Sequence, residues 1–111
     1  MLLDNRYKNV MGIYQIRCTV NNKIYIGLST NLYNRSREHQ YKKEHNVELQ
    51  NDIDKYGRDA FTLTVLETTE DESELDKLEQ MYIEKARSSG EDCYNRFSGG
   101  RINFEVPDDF K

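Results

Sequence analysis

Long apolar runs are missing from this chain of 111 residues. None approaches the roughly 18 residues that a bilayer-spanning helix needs, so no membrane span is expected. The opening MLLDNRYKNV has no apolar core and carries charge early, which argues against a secretory signal peptide and for a cytoplasmic protein. Cysteine is scarce as well. Cys18 and Cys93 stand 75 positions apart, with no CxxC and no zinc-type His/Cys spacing, so both read as reduced intracellular thiols. Repeats, low-complexity tracts and linkers are also absent. What remains is one domain with a modest core, 36% hydrophobic and 32% charged, so its surface is heavily solvated.

Positive charge is in deficit too. The net charge is −4, whereas proteins that hold nucleic acid by its backbone usually carry a basic footprint. The deficit is uneven. Residues 1–57 hold nine Lys/Arg against six Asp/Glu, a balance of +3, and residues 58–111 hold seven against fourteen, a balance of −7. Any phosphate-facing surface is therefore expected on the first half.

Residues 11–20 alternate as a strand, with Tyr14, Ile16 and Cys18 on one face and Ile13, Gln15 and Arg17 on the other. Asn21-Asn22 supplies turn residues, and Lys23–Gly27 returns as the second strand of a hairpin. A two-residue turn at 21–22 sets Tyr25 opposite Cys18. Tyr14 and Tyr25 then share a face but lie roughly 13 Å apart along the strand. A shared site requires a looser turn, a bend, or substrate bridging the two. Asn31 is the expected N-cap of a helix over about Leu32–Glu44, whose Leu32, Arg35, Ser36 and His39 line one face. A second helix is expected over about Val47–Tyr56, ending at Gly57. A third strand follows over Phe61–Glu67, and a third helix over about Ser73–Arg87 with Asp71 or Ser73 as cap. Residues 93–95 suggest a short extended piece, and residues 101–111 a peripheral tail.

The third helix carries an apolar stripe of Leu75, Leu78, Tyr82, Ile83 and Ala86, and Glu79 falls inside it. A carboxylate placed there loses hydration at a cost of several kcal/mol unless a partner compensates. Either a metal ion or a buried salt bridge, with Arg35 as one partner, satisfies that requirement. Arg35 itself reads either as a phosphate clamp or as an arginine snorkelling over apolar surface. His39 either serves a site, by orienting water, donating to phosphate or supporting Tyr25, or is a packed helical histidine. Most of the eight tyrosines must be packing residues with wet hydroxyls, Tyr33, Tyr41, Tyr56 and Tyr82 among them. A tyrosine acts as a general base only if nearby positive charge lowers its pKa from about 10, and Arg35 with a divalent ion would supply that charge. Together these residues offer a metal ligand, a phosphate clamp and a proton acceptor, the groups that metal-assisted phosphodiester hydrolysis uses.

Several motifs occur in a fixed order along residues 11–100. They are Gly12-Ile13-Tyr14, Tyr25-Ile26-Gly27, Asn34-Arg35 with His39, LQNDIDKYG at 49–57 followed by Phe61, Glu79, and Tyr94-Asn95 with Ser98-Gly99-Gly100. This series resembles the GIY-YIG nuclease superfamily. The resemblance implies an α/β (α+β) domain with a three-stranded antiparallel sheet flanked by about three helices. It also implies a site using one divalent cation, Mg²⁺ or Mn²⁺, held by Glu79. By the same resemblance Tyr14 is the general base or positions the water, and Tyr25 assists at the phosphate. Arg35 stabilises the transition state, His39 supports the site and Asn95 braces it. Cleavage of DNA would leave 5′-phosphate and 3′-hydroxyl ends.

The chain departs from the family pattern at Ser36, where many members carry a bulky aromatic, and at Cys93, where glycine is frequent. Many relatives also append a DNA-binding region, whereas an acidic tail follows here, so target recognition would call for a dimer mate or a separate targeting domain. Two readings follow. A metal-dependent endonuclease is favoured by the complete residue set. A non-catalytic nucleic-acid or protein-binding module retaining the fold is favoured by the acidic second half.

Overall fold

The computed structural model describes residues 1–95, so Ser98-Gly99-Gly100 and the tail lie outside the described residues. Three strands, β1 (Met11–Cys18), β2 (Ile24–Ser29) and β3 (Phe61–Thr69), form one antiparallel sheet in the order β2-β1-β3. Helices α1 (Leu32–Tyr41) and α2 (Val47–Tyr56) connect β2 to β3, and α3 (Leu75–Ser88) follows β3.

The alternation along β1 divides the core in two. Tyr14, Ile16 and Cys18 pack with Leu32 of α1, Leu49 and Ile53 of α2, Phe61 and Tyr94. On the other side, Ile13 packs with Ile24 and Ile26 of β2 and Leu75, Leu78 and Ile83 of α3. Each side chain is thus sorted to a face by the strand period of two, and helices cover both faces.

Local signals set the helix ends. Asn31 caps α1 by accepting a hydrogen bond from the Asn34 amide at 3.2 Å, as expected. Gly57 ends α2 at a φ of 84°, a conformation that favours glycine. Asp71 caps a single 3₁₀ turn at Glu72–Glu74, and that turn hands the chain to α3 at Leu75, two residues later than expected. Helix α1 stops at Tyr41 rather than near Glu44. Lys42 is extended there (φ −117°, ψ 162°), and the Arg58 guanidinium caps the helix end, donating to the carbonyls of His39 (3.1 Å) and Lys42 (2.7 Å).

The hairpin register corrects the sequence expectation. Tyr25 pairs opposite Ile16, not Cys18, and Tyr14 pairs opposite Gly27. The connection is a four-residue loop, Thr19–Asn22, closed by the Cys18 amide on the Lys23 carbonyl at 2.9 Å. Asn22 takes the left-handed conformation (φ 63°), and the Asn21 side chain accepts from the Lys23 amide at 3.0 Å. The longer loop draws Tyr25 two residues closer to Tyr14.

Strand β3 carries a bulge: Ile13 pairs with Glu67 and Tyr14 with Val65, leaving Leu66 between them. Gly12 lies beside this irregularity. A methyl group there would meet the Glu67 carbonyl oxygen and lie 3.1 Å from Leu32 Cδ1.

The outer edge of β2 is covered by residues 92–95. The Ile24 amide donates to the Asp92 carbonyl at 3.0 Å, and the Tyr94 amide donates to the Ile24 carbonyl at 2.7 Å. The expected extended piece is therefore a short parallel bridge of Cys93 with Ile24. It is anchored beneath by the Tyr94 hydroxyl, which donates to Asp52 at 2.6 Å.

Candidate active site

Tyr14, Tyr25 and His39 form one aromatic cluster. The rings of Tyr14 and Tyr25 are 6.4 Å apart between centroids, Tyr14 and His39 5.3 Å, and Tyr25 and His39 6.1 Å. The observed register makes this cluster. Tyr14 and Tyr25 become diagonal neighbours on one face, a spacing within reach of aromatic side chains. Leu32, Ser36 and His39 are buried on α1, so the i, i+3, i+4, i+7 face sets His39 against the sheet.

The polar atoms of the cluster are joined. The Tyr14 hydroxyl and His39 Nε2 lie 2.8 Å apart, and His39 Nδ1 lies 2.8 Å from both Glu44 carboxylate oxygens. Arg35 and Tyr25 lie close enough to this hydroxyl to bear on its ionisation. The Arg35 guanidinium also pairs with Glu38, one helical turn on, at 2.9 Å. Both side chains of that pair are well exposed, so it contributes little to stability and yields easily to a stronger anion.

Burial dominates the ionisation of both tyrosines. It pushes the Tyr14 hydroxyl well above the usual tyrosine range, and Tyr25 adds to the rise while Arg35 only partly opposes it. Tyr25 is raised by burial first and then by the nearby Glu79 carboxylate. Both are therefore neutral phenols at neutral pH. The positive charge of Arg35 does not turn Tyr14 into a phenolate.

Glu79 lies on α3 between Leu78 and Ile83 and is buried, 8% exposed. The exposed neighbours Glu72, Glu74 and Glu84 point away to solvent, as the apolar stripe requires. Among the described residues no group of three or more His, Cys, Asp and Glu converges as a metal cage. A cation at Glu79 would take one carboxylate and complete its shell with water and phosphate oxygens. That donor set suits Mg²⁺, which dehydrates reluctantly and commonly binds through one or two carboxylates plus substrate phosphate. The residues present fit the ion.

Asn95 lies at the β2 edge. Its Nδ2 donates to the Ile26 carbonyl at 2.8 Å and its Oδ1 accepts from the Ile26 amide at 2.9 Å. Ile26 sits between Tyr25 and Gly27, so this pair of hydrogen bonds fixes the backbone that carries Tyr25. Sequence reading overlooked Glu44 and Arg58. Glu44 follows the last periodic residue of α1 and shares no helical spacing with His39, so no pattern marks it. Tyr41 also departs from the expected packing role: it is 65% exposed, with the Arg37 guanidinium 5.9 Å above its ring.

The GIY-YIG catalytic domain model matches residues 10–95, and the chain belongs to that family, a class of nuclease domains. Two solved structures are similar. The catalytic domain of the intron endonuclease I-TevI, as a glutamate-to-alanine mutant, is 26% identical with a TM-score of 0.68, over 81% of this chain and 96% of that one. The catalytic domain of the homing endonuclease I-TevI is 26% identical with a TM-score of 0.62, over 78% of this chain and 98% of that one. No curated protein sequence matches the chain. None of the helices among the described residues is long and apolar enough to cross a membrane.

Proposed function

We propose that this domain is a divalent-metal-dependent endonuclease that hydrolyses DNA phosphodiester bonds to 5′-phosphate and 3′-hydroxyl ends. The observation that carries the reading is the convergence of Tyr14, Tyr25 and His39 in one ring cluster, with Arg35 beside the Tyr14 hydroxyl and the buried Glu79 carboxylate close to Tyr25. Family membership and the endonuclease names of both structural neighbours support it.

Each side chain then has a task. As water attacks phosphorus, its proton passes to the Tyr14 oxygen. Tyr14 releases its own proton to His39 Nε2, so the neutral phenol serves as a base without first becoming a phenolate. Arg35 exchanges Glu38 for a non-bridging phosphate oxygen and stabilises the added charge of the transition state. The Tyr25 hydroxyl donates to the same phosphate. The bond from phosphorus to the 3′ oxygen breaks, and that oxygen takes a proton from solvent. A Mg²⁺ or Mn²⁺ ion held by Glu79 supplies Lewis-acid neutralisation of phosphate charge when bound. Asn95 keeps the Tyr25 backbone in place. DNA is held mainly by the basic first half of the chain, and selection among targets calls for a second copy or a separate targeting domain.

The test is nicking of supercoiled plasmid by purified protein with and without Mg²⁺ or Mn²⁺, beside Glu79→Gln. The expected result is metal-dependent nicking by the parent chain, none by the variant, and products that DNA ligase reseals. If plasmid and short single strands stay intact under both metals, the domain is a non-catalytic binding module.

A further inference from the structure

The carboxylate of Glu44 meets the site at His39. Its side chain and that of His39 are each 7% exposed, and both of its oxygens lie 2.8 Å from Nδ1. A carboxylate only accepts hydrogen bonds, so Nδ1 must carry the proton that joins them. In the neutral imidazole Nε2 is then left with its lone pair, facing the Tyr14 hydroxyl at 2.8 Å. The opposite tautomer would aim an N–H at Tyr14 and leave the Tyr14 proton no acceptor on His39.

The segment that carries Glu44 is held on three sides. Arg58 ties the His39 and Lys42 carbonyls at the end of α1. The Glu44 amide donates to Gln50 Oε1 at 2.7 Å, and Asn46 caps α2 by accepting from the Leu49 amide at 3.0 Å. A non-helical loop residue is thus held with its carboxylate turned inward, at the cost of dehydrating it. Packing alone gives no reason for a charge there.

We infer that Glu44 is a positioning residue of the hydrolytic site: it fixes His39 as the Nδ1–H tautomer and stabilises the imidazolium that forms when Tyr14 hands over its proton. The inference rests on the nuclease reading for its kinetic consequence and on geometry for the tautomer. In the transfer, the Tyr14 O–H bond breaks, the Nε2–H bond forms and the imidazole gains a positive charge. Glu44 stays ionised throughout and takes no proton. The other charged or titratable groups facing His39 are Tyr14 and Tyr25 from the sheet and Arg35 from its own helix, with Arg58 on its backbone carbonyl.

Two measurements test this. In single-turnover cleavage, Glu44→Gln keeps shape but removes charge, and the rate constant should fall about 100-fold with DNA affinity unchanged. Glu44→Ala should be slower still and should regain activity when formate is added to fill the vacated slot. Cleavage by folded Glu44→Gln at the parent rate, or no formate rescue of folded Glu44→Ala, overturns the inference. The second measurement needs no activity: ¹⁵N NMR of imidazole-labelled protein, at a pH where the ring is neutral. The parent chain should show protonated Nδ1 and bare Nε2 on His39, and Glu44→Gln a mixture. Protonated Nε2 in the parent chain overturns the inference even if a variant fails to fold. A parent chain with the expected tautomer but no cleavage would instead defeat the nuclease reading and leave the Glu44–His39 assignment standing.

Discussion

The Tyr14 ring packs against the backbone of Gly27, the residue paired opposite it across β1 and β2. A methyl group at Gly27 would stand 2.5 Å from Tyr14 Cζ and 2.9 Å from Cε1, well inside contact distance. The glycine of the second triplet is therefore where it is to make room for the tyrosine of the first. Tyr14 is fully enclosed and has no free direction in which to retreat. Gly27→Ala should push the ring off His39. Overpacking of this kind costs about 1–3 kcal/mol, so the melting temperature should drop by several degrees. Cleavage should drop further, by more than about 10-fold, because the hydroxyl leaves its acceptor. Thermal melts and nicking rates of the variant decide. If neither changes, the ring has slack and the paired glycine has another purpose.

Asn95 supplies what a strand edge ordinarily lacks, a partner for both backbone groups of Ile26. Asn95→Asp tests that pairing through pH. The carboxylate still accepts from the Ile26 amide, but it faces the Ile26 carbonyl with no proton to donate. Its folded pKa should therefore rise above the unfolded value of about 4. The sign follows directly: stability is retained below pH 4, where the protonated acid donates, and is lost as pH climbs through the raised pKa. Urea melts of parent and variant at pH 4 and pH 7 should differ little at the lower pH and by about 1–3 kcal/mol at the higher. An equal gap at both values would mean that the Ile26 bonds do not hold this edge.

How far the sequence disclosed this site depends on which kind of signal each residue left. Alternation along 11–18 gave the faces of β1, and the cap at Asn31 placed α1 and with it the inward side of Arg35 and His39. Glu79 was visible because a carboxylate interrupts an apolar stripe. The hairpin register was not visible. A slip of two residues keeps every side chain on its face, so the polar pattern is identical for the two-residue and the four-residue loop. The left-handed Asn22 and the Asn21 bond to the Lys23 amide help to hold the longer one, which brings the two tyrosines together. Glu44 was hidden for a different reason. It contacts His39 across a chain reversal set by Arg58, which is distant in sequence and belongs to no motif. Ser36 shows the same limit. It reads as a gap where an aromatic is frequent, yet it is fully buried, accepts from the Leu3 amide at 3.1 Å and donates to the Tyr33 carbonyl at 2.7 Å.

Tyrosine ionisation links the site to the stability of the whole domain. Burial raises the pKa of Tyr14, Tyr25 and Tyr94, and Tyr94 is raised further by donating to Asp52. In the unfolded chain all three ionise near 10. Above that pH the unfolded state gives up protons that the folded state keeps, so stability must fall as pH rises. Each of the three contributes a slope of up to about 1.4 kcal/mol per pH unit between its unfolded and folded values. Tyr82 is raised by its bond to Glu67 but is far less buried, so it should ionise while the fold persists. Absorbance at 295 nm and far-ultraviolet circular dichroism, recorded together through an alkaline titration, separate the two groups. Tyr82 should titrate smoothly with unchanged secondary structure. Tyr14, Tyr25 and Tyr94 should ionise in a single cooperative step coincident with unfolding. Tyr14→Phe should reduce the amplitude of that step by one tyrosine and flatten the pH dependence of stability. Ionisation of Tyr14, Tyr25 and Tyr94 near pH 10 with the fold intact would show that burial does not hold their protons, and the neutral phenol assigned to Tyr14 would be lost.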